Sequence, residues 1–203
     1  MIAIIDYGVG NLFSLASSLR YLGLETEVTG EKARLEAADR IILPGVGAFE
    51  DAAAKLRATG LVDTIREQAA EGKPLLGICL GMQLLFEKSF EYGEHEGLGL
   101  VPGQVMPLSD VLPQGLKVPH IGWNRLDIRK TDDPLFRYSG DADYFYYVHS
   151  YYAAHCEANT LATSEYGIPV TGVVRSGSVV GTQFHPEKSG EAGLRLLRAF
   201  SEL

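Results

Sequence analysis

Residues 74–86 read Pro-Leu-Leu-Gly-Ile-Cys79-Leu-Gly-Met-Gln-Leu-Leu-Phe86. The first half is a short apolar run, which is typical of a fully buried strand. From Gly81 to Phe86 the apolar residues recur at helical spacing, so a helix is expected there. The two halves meet at Gly77-Ile-Cys79-Leu-Gly81, where glycines on both sides of the cysteine allow a sharp turn without a Cβ clash. The stretch therefore predicts a cysteine held at a strand-to-helix turn.

Two interpretations of Cys79 follow from this position. The same arrangement with serine is the nucleophile elbow of the α/β-hydrolases, and the N–H groups at a helix start favour a thiolate over a thiol. Free cysteine is also among the most buried residue types and commonly serves only to pack. The motif alone leaves catalysis and packing both open.

Length and composition are those of an ordinary globular chain. It has 203 residues, of which 46% are hydrophobic, and we expect one domain over residues 1–203. The net charge is −8, and lysine and arginine form no run. Both features argue against a nucleic-acid groove or an anionic membrane surface as a partner.

The sequence also predicts a compartment. No apolar stretch approaches the ~20 residues of a membrane span. The N-terminal residues lack the basic region and cleavage site of a signal peptide. Two cysteines are too few for a disulfide framework, which suggests a reducing environment. A cytoplasmic protein is therefore expected.

Strand and helix patterns alternate along the first half of the chain. Apolar runs predict strands at residues 1–6, 25–29, 40–43 and 74–78, and periodic apolar residues predict helices at 12–22, 31–38, 48–58 and 61–71. Asn11 is expected to cap the first helix and Gly23 to end it. The alternation favours a parallel sheet with helices on both faces.

From about residue 97 the pattern becomes rich in short strands. Strand-like runs occur at 104–108, 118–123, 125–129, 143–152, 160–164, 170–175 and 178–184, with a hairpin at Ser176-Gly177. An amphipathic helix over 188–203, with Leu194, Leu197 and Phe200 inward, closes the chain. The predicted fold class is α/β, with a central, mostly parallel sheet, helices on both faces and an added β-rich C-terminal half.

Two glycine-containing loops follow the first and third strands. Gly8-Val-Gly10 lacks the third glycine and the acidic residue of a dinucleotide-binding fingerprint, so nucleotide binding is not expected. Pro44-Gly-Val-Gly47 leaves backbone N–H groups free to approach a ligand, although a plain tight turn would use the same residues. In parallel sheets, ligands bind at the carboxyl ends of the strands, where both this loop and Cys79 are placed.

His185 is the histidine best placed to serve a cysteine nucleophile. It stands in Gln183-Phe-His185-Pro-Glu187, where the proline ends the last strand and favours extended geometry before it. Residues two apart in an extended segment point to the same side. Glu187 would therefore hold the imidazole tautomer that accepts the thiol proton. A structural, salt-bridged surface histidine is the alternative.

The remaining histidines indicate no metal or cofactor. His149 and His155 flank a Tyr-Tyr-Ala-Ala segment, but their spacing matches no zinc-ligand pattern. The tyrosines of residues 144–152 are expected to pack on a strand with their hydroxyls at a rim. His95 and His120 have no evident partner in the sequence.

Taken together and in order, the motifs at residues 44–47, 77–83 and 184–187 resemble those of the class I (triad) glutamine amidotransferases. Further matches are Ile5-Asp-Tyr-Gly-Val-Gly-Asn11, Pro119-His-Ile-Gly-Trp-Asn124, Tyr147-Val-His-Ser-Tyr151 and the extended Phe184-His-Pro-Glu-Lys-Ser189. The likeness runs essentially from end to end. Residues 119–124 and 188–189 narrow it to the glutaminase subunits that serve a cyclase in histidine biosynthesis.

The resemblance implies a glutaminase with a triad and no cofactor. Cys79 would attack the side-chain amide carbon of glutamine, His185 would act as base and then as acid to the leaving ammonia, and Glu187 would orient it. Water would then hydrolyse the glutamyl thioester. The backbone N–H groups of Leu80 and Val46 would hold the oxyanion. The residues implied to line the glutamine pocket are Gly47, Gln83, Glu91, Ser150 and Tyr151.

The resemblance also implies a partner. The chain would form a heterodimer with a (βα)8-barrel cyclase, in a lyase-type synthase complex that receives the ammonia directly. Asn11, Trp123 and Lys188 are expected at the interface, since Trp123 is the sole tryptophan and aromatic anchors dominate interfaces. A half-buried core position is the alternative for Trp123. Without the partner, we expect a misoriented loop at 44–47 and low glutaminase activity.

Two other interpretations remain open at this point. The same triad would also suit the glutaminase of another synthase, such as that of pyridoxal phosphate or anthranilate formation, although residues 119–124 speak against it. A non-catalytic regulatory subunit on the same fold is the second interpretation. The presence of all three triad residue types gives it little support.

Overall fold

A computed structural model describes residues 1–140 and 142–203 of the chain. Its strands are β1 (Ile2–Ile5), β2 (Thr26–Thr29), β3 (Arg40–Leu43), β4 (Leu75–Ile78), β5 (Phe86–Ser89), β6 (His95–Glu96), β7 (Val101–Pro107), β8 (His120–Arg125), β9 (Asp127–Ile128), β10 (Tyr144–His149), β11 (Tyr151–Ala154), β12 (Thr160–Glu165), β13 (Pro169–Ser176) and β14 (Val179–Thr182). Its α-helices are α1 (Leu12–Tyr21), α2 (Lys32–Ala37), α3 (Phe49–Ala58), α4 (Val62–Ala70), α5 (Leu80–Leu84) and α6 (Gly190–Phe200). Within these described residues, no helix is long and apolar enough to cross a membrane.

A mixed sheet, in the order β2-β1-β3-β4-β14-β13-β12-β9 within the described residues, forms the centre of the molecule. The strands from β2 to β14 pair in parallel, and those from β14 to β9 pair antiparallel. The described residues also form a sheet of β10 and β8 and another of β11, β7, β5 and β6. The predicted α/β class, with a mostly parallel central sheet, is confirmed. β14 comes from the second half of the chain, yet it extends the parallel part beside β4.

Apolar residues pack on both faces of the central sheet. Within β1, Ala3 and Ile5 join the core on one face, and Ile2 and Ile4 join the core on the other, as the alternation of a strand requires. The first face is covered by α2, α3 and α4 and by strands β5 and β7. The second face is covered by α1 and α6. Because both faces are covered, the inner strands are almost wholly apolar and buried.

The helix predicted from Gly81 to Phe86 is shorter than expected. α5 ends at Leu84, and Phe86 begins β5, which pairs in parallel with β7 and antiparallel with β6. Phe86 is fully buried in this position. The apolar spacing suits a helix and a buried strand equally well. Because β5 pairs with β6 and β7, the chain is a strand from Phe86 onward.

The strand predicted over 143–152 is divided in the structure. It breaks at Ser150 into β10, which pairs with β8, and β11, which pairs with β7 of another sheet. Tyr147 is fully buried, and its hydroxyl shares a hydrogen bond of 2.7 Å with the hydroxyl of Ser164. The expectation of a hydroxyl at the rim is therefore wrong for this tyrosine.

The ends of two helices differ from the prediction. α6 begins at Gly190, after a 3₁₀ turn over Pro186–Lys188, rather than at residue 188. Leu197 and Phe200 are buried as predicted, whereas Leu194 is only partly buried and Leu196 is fully buried, so the inward face is centred one step away from Leu194. Asn11 occupies the N-cap of α1, but its side chain makes no capping hydrogen bond with a described residue.

The glycines of the cysteine motif allow three backbone segments to touch. A Cβ built on Gly81 would lie 1.9 Å from the Leu43 carbonyl oxygen, and one on Gly77 would lie 2.7 Å from the Gly81 carbonyl oxygen. Both contacts are with backbone, which cannot rotate away. These glycines therefore serve the close packing of β3, β4 and α5, while the left-handed conformation belongs to Cys79 itself, whose φ is 54°.

We expect Gly81→Ala to destabilise the fold by about 3 kcal/mol, because the added methyl overlaps the Leu43 carbonyl and forces backbone segments apart. The measurement is the free energy of unfolding in urea. Gly140→Ala is the matched control, since a Cβ there would lie at an ordinary 3.5 Å from Asp143. We expect the control to change stability by less than about 0.5 kcal/mol. Equal stabilities of the two variants would contradict the packing argument.

Candidate active site

β4 and β14 lie side by side and end at the same edge of the sheet. They pair in parallel with Ile78 opposite Thr182. The Cys79 N–H continues the ladder by donating to the Thr182 carbonyl at 2.7 Å. Cys79 is thus the residue after β4, and His185 follows β14 by a few residues. The pairing brings the cysteine and the histidine, from opposite halves of the chain, to one edge.

Cys79 adopts a backbone conformation that is rare for a residue with a side chain. Its φ of 54° and ψ of −111° lie outside the regions that L-residues favour. Strain of this kind persists only where the surrounding structure holds it, and it clusters at functional sites. Here it lets β4 turn directly into α5 at Leu80. Since α5 has only 5 residues, its contribution to the site is the open N–H groups of its first turn rather than a long helix dipole.

His185 and Glu187 form a buried pair beside Cys79. The distance between His185 Nδ1 and Glu187 Oε1 is 2.8 Å, and each side chain is 3% exposed. An ionised carboxylate only accepts, so Nδ1 carries the proton and Nε2 is left to accept one. Burial opposes a charge on the ring, but the hydrogen bonds and negative charges of Cys79 and Glu187 outweigh it and raise the pKa of His185 to about 9. The ring is therefore a base able to take and hold the thiol proton.

The loop after β3 lies against the turn that carries the cysteine. A Cβ on Gly45 would come within 2.6 Å of the Gly81 nitrogen, so the two backbones are in direct contact. On its other side, the loop is held by the Tyr7 hydroxyl, which donates to the Pro44 carbonyl at 2.7 Å. The position of the loop is thus set by backbone packing and by one buried hydrogen bond.

The two residues predicted to form the oxyanion hole lie on the wall of one cavity together with Cys79. They are Val46, from the loop after β3, and Leu80, the first residue of α5. Their N–H groups have no acceptor among the described residues. Neither N–H group is taken up by the described part of the chain, and their role in holding an anion stays a prediction.

A cavity of about 310 Å³ opens at Cys79 and His185. All the residues predicted to line the glutamine pocket are on its wall, namely Gly47, Gln83, Glu91, Ser150 and Tyr151. His149 and Lys188 line it as well. The structure thus brings the predicted substrate residues together with the cysteine and histidine, and their binding of glutamine stays a prediction.

Glu91 also has a structural contact. Its Oε2 accepts a hydrogen bond of 2.7 Å from the N–H of Phe49, the first residue of α3. This contact satisfies one of the donors that a helix start leaves open. Burial raises the pKa of Glu91, and the Phe49 N–H acts against that rise. Glu91 therefore fixes the start of α3 against the cavity wall.

Gln183 contacts the cysteine and was not among the predicted site residues. Its Nε2 lies 3.8 Å from Cys79 Sγ, and its Oε1 accepts a hydrogen bond of 3.1 Å from Gln83 Nε2. The same Gln83 nitrogen donates to the Tyr151 carbonyl at 3.0 Å. A signal for Gln183 was present in the sequence, because it stands two residues before His185 in an extended segment and so faces the same side.

Two histidines pair beside the active site, and one of them, His149, lines the cavity. His149 Nδ1 donates to the Tyr151 carbonyl at 2.8 Å, and His149 Nε2 lies 2.9 Å from His120 Nδ1. Burial lowers the pKa of both rings, that of His149 to about 3, so both are neutral at pH 7. Sequence reasoning found no partner for His120 because the two rings meet only when β8 pairs with β10.

The three residues predicted at the partner interface are all exposed at least in part. Trp123 is 53% exposed on β8, so the alternative of a core position is wrong. Its ring packs against Tyr146, with centroids 6.0 Å apart. Lys188 is exposed at the cavity, and Asn11 is partly buried in a small cleft beside His185. Their contact with a partner stays a prediction.

Two solved structures share the fold of this chain over nearly its whole length. A structure described as a glutamine amidotransferase matches 100% of this chain and 98% of its own, with a TM-score of 0.77 and 22% identity. PurLQS from Thermotoga maritima matches 99% of this chain and 97% of its own, with a TM-score of 0.78 and 20% identity. At these identities the likeness concerns the fold alone.

Sequence comparison defines the family. The family model described as glutamine amidotransferase class-I matches residues 3–202, so the chain belongs to the class I glutamine amidotransferases. Imidazole glycerol phosphate synthase subunit HisH from Oceanobacillus iheyensis is 50% identical over 100% of this chain and 99% of its own length. The same subunit from Caldanaerobacter subterraneus subsp. tengcongensis is 48% identical over 100% and 98%. Within the class, the chain is thus a member of the HisH family, and the predicted class and subunit family are both confirmed.

We expect the charged His185–Glu187 pair to make stability depend on pH. A ring whose pKa is raised from 6.5 to about 9 on folding stabilises the fold fully below pH 6.5, and this contribution is lost as the pH rises through 9. Between these limits, the free energy of unfolding should fall by on the order of 2 kcal/mol more in the wild type than in His185→Asn. Urea unfolding at both pH values measures the difference.

Cys79→Ala is the informative intermediate variant, because it keeps Glu187 and removes the other group that raises the pKa of His185. Its pH dependence should lie between those of the wild type and His185→Asn. Identical pH dependence in the wild type and His185→Asn would show that the ring does not gain its charge on folding.

Proposed function

We propose that this chain is the glutaminase subunit of an imidazole glycerol phosphate synthase, one amidotransferase domain over residues 1–203 that hydrolyses glutamine and passes the ammonia to a cyclase subunit in histidine biosynthesis. The observation that carries the proposal is the meeting of Cys79, on its strained turn, with His185 in one cavity, where buried Glu187 holds the His185 ring from behind the wall. The family supports it, since its members are described as subunits of that synthase.

The first half of the reaction forms a thioester. His185 Nε2 takes the proton of the Cys79 thiol, and the sulfur attacks the side-chain amide carbon of glutamine. The C–N bond then breaks, His185 gives its proton to the leaving nitrogen, and ammonia departs. Glu187 keeps its hydrogen bond to Nδ1 throughout and stabilises the charged ring.

The second half releases glutamate. His185 takes a proton from water, the oxygen of the water adds to the thioester carbon, and the C–S bond breaks as the sulfur regains the proton from His185. A tetrahedral oxyanion forms in both halves, and the N–H groups of Leu80 and Val46 stabilise it. Loss of one such donor typically costs ~3 kcal/mol of barrier.

Glutamine suits the cavity in size and in chemistry. A volume of about 310 Å³ is at the lower end of the range for small-molecule sites. Glu91 offers its carboxylate to the α-ammonium group of the substrate. The amide nitrogen of Gln83 already donates to the Tyr151 carbonyl and to Gln183 Oε1, so the Gln83 Oε1 is the atom left for a ligand.

The product requires a partner. Ammonia released into water at neutral pH becomes mostly ammonium, which has no lone pair with which to attack. The proposed partner is a (βα)8-barrel cyclase that docks on the side of Asn11, Trp123 and Lys188. Ile121 and Trp123 lie two apart on β8 and are 57% and 53% exposed, so β8 presents two apolar side chains on one face. Exposed aromatic anchors of this kind dominate protein interfaces.

The alternatives find less support. A non-catalytic subunit would have no use for a strained cysteine beside a buried histidine whose pKa is raised to about 9. A glutaminase for pyridoxal phosphate or anthranilate synthesis is not favoured, because the relatives of 50% and 48% identity belong to imidazole glycerol phosphate synthase.

The test is glutamate production by the purified chain, with and without the cyclase subunit and its substrate. We expect turnover alone to be ~10²-fold lower than in the complex, as for an enzyme that lacks one oxyanion donor. Cys79→Ala should abolish activity in both, and Cys156→Ala, at a buried cysteine outside the cavity, should leave it unchanged. Full turnover without the cyclase would refute the need for a partner. A glutamine-like alkylating agent that leaves Cys79 unmodified in the complex would refute catalysis.

We expect Trp123→Ala to weaken the complex with the cyclase about thirtyfold in Kd, which corresponds to roughly 2 kcal/mol for a buried aromatic anchor. Isothermal titration calorimetry measures the change. Tyr21→Ala removes another exposed aromatic side chain, at the far end of α1 from Asn11, and should bind as the wild type does. The same Kd for Trp123→Ala as for Tyr21→Ala would show that Trp123 is no anchor of the interface.

A further inference from the structure

Among the described residues, the sulfur of Cys79 has two polar neighbours besides His185. The Val148 carbonyl oxygen lies 3.9 Å from Sγ, and Nε2 of the fully buried Gln183 lies 3.8 Å from it. A carbonyl oxygen accepts from a thiol but repels a thiolate, whereas an amide N–H favours the thiolate. Of these two neighbours, Gln183 is therefore the one that supports the reactive form of the cysteine.

The direction of the Gln183 amide follows from a chain of contacts. The Tyr151 carbonyl only accepts, so the group of Gln83 that faces it at 3.0 Å is the NH2 group. The same NH2 group is 3.1 Å from Gln183, which must present its oxygen there. The Gln183 nitrogen is then left facing Cys79. A flipped Gln183 amide would set donor against donor at Gln83 and acceptor against the thiolate, so the flip is disfavoured at both ends.

We propose that Gln183 donates a hydrogen bond to the Cys79 thiolate and that Gln83 is the positioning residue that aims this donor. The proposal rests on the proposed function and deepens its account of how the nucleophile is activated. His185 removes the thiol proton, and Gln183 stabilises the sulfur that remains. Gln183 is not among the described residues that line the cavity, so it contacts the sulfur and not the substrate.

The chain of two amides also explains the burial of both glutamines. A buried amide without partners is costly. Gln183 is bonded through both its oxygen and its nitrogen, and the Gln83 nitrogen donates to two acceptors. The chain starts at Tyr151, on the cavity wall, and ends at the nucleophile. It therefore fixes the sulfur relative to the wall that faces the substrate, without placing another charge beside the His185–Glu187 pair.

The test is the pH profile of Cys79 alkylation by iodoacetamide, with the adduct mapped by mass spectrometry on the full chain. Gln183→Met keeps the size of the side chain and removes the donor. We expect the midpoint of the profile to move up by about one pH unit, the value of one hydrogen bond to a charged group. In the complex with the cyclase, kcat should fall about tenfold while KM for glutamine changes less than about twofold.

Gln68→Met is the matched control. Gln68 is also buried, but it lies in α4 and bonds to Glu71, so its loss should leave the alkylation profile and kcat unchanged. An unshifted profile in folded Gln183→Met overturns the proposal. A rise in KM without a shift overturns it too, because it would show that Gln183 acts on the pocket and not on the sulfur.

A second variant covers the case in which Gln183→Met does not fold. Gln183→Glu keeps the shape and still accepts from Gln83, but it turns a carboxylate oxygen toward Cys79. Its profile should move up by more than one pH unit, since a like charge disfavours the thiolate, and an unshifted profile overturns the proposal. Alkylation needs neither turnover nor a partner. The result is therefore independent of whether the chain proves to be a cyclase-dependent glutaminase.

Discussion

The hydrogen bond from the Cys79 N–H to the Thr182 carbonyl fixes where nucleophile and base meet. It closes a parallel pair whose two strands come from opposite halves of the chain, β4 from the βα alternation and β14 from the β-rich part. Parallel neighbours end at the same edge, so no long loop has to carry His185 to the cysteine. A slip of one residue would turn the side chains of β14 to the opposite face and separate the two groups. The register of one strand pair is therefore a condition for the whole site.

Several features of the site are unfavourable by themselves. Cys79 is strained at φ 54°, two histidines are buried next to each other, and a carboxylate is buried at Glu187. Glu187 Oε1 is paired with His185, while Oε2 has no hydrogen-bond partner in the described part of the chain. Features of this kind persist when the surrounding structure is stable enough to hold them. Here that stability comes from the apolar layers on both faces of the central sheet.

The parts predicted well from the sequence are those set by local patterns. The βα alternation, the turn at Cys79 and the neighbourhood of His185 and Glu187 follow from apolar spacing, glycine and proline over a few residues. The parts that were missed depend on contacts between distant strands. The division of the strand at Ser150, the start of β5 at Phe86 and the pairing of His120 with His149 arise only when sheets form. The order of strands places β14 beside β4, and no periodicity records that order.

The two-stranded ribbon of β8 and β10 connects the proposed interface with the active site. Trp123 stands opposite Tyr146 in its register, and the Tyr146 carbonyl accepts a hydrogen bond of 3.0 Å from the His185 N–H. At its other end, His120 stands opposite His149, whose ring donates to the Tyr151 carbonyl.

The same Tyr151 carbonyl begins the amide chain through Gln83 and Gln183 to the sulfur. Base and sulfur donor are therefore both attached to one ribbon, which exposes Trp123 at its surface. A partner bound at Trp123 would contact the strand that pairs with β10, whose Tyr146 carbonyl accepts from the His185 N–H. The position of Trp123 on β8 thus restricts where a partner must dock if docking is to govern glutamine hydrolysis.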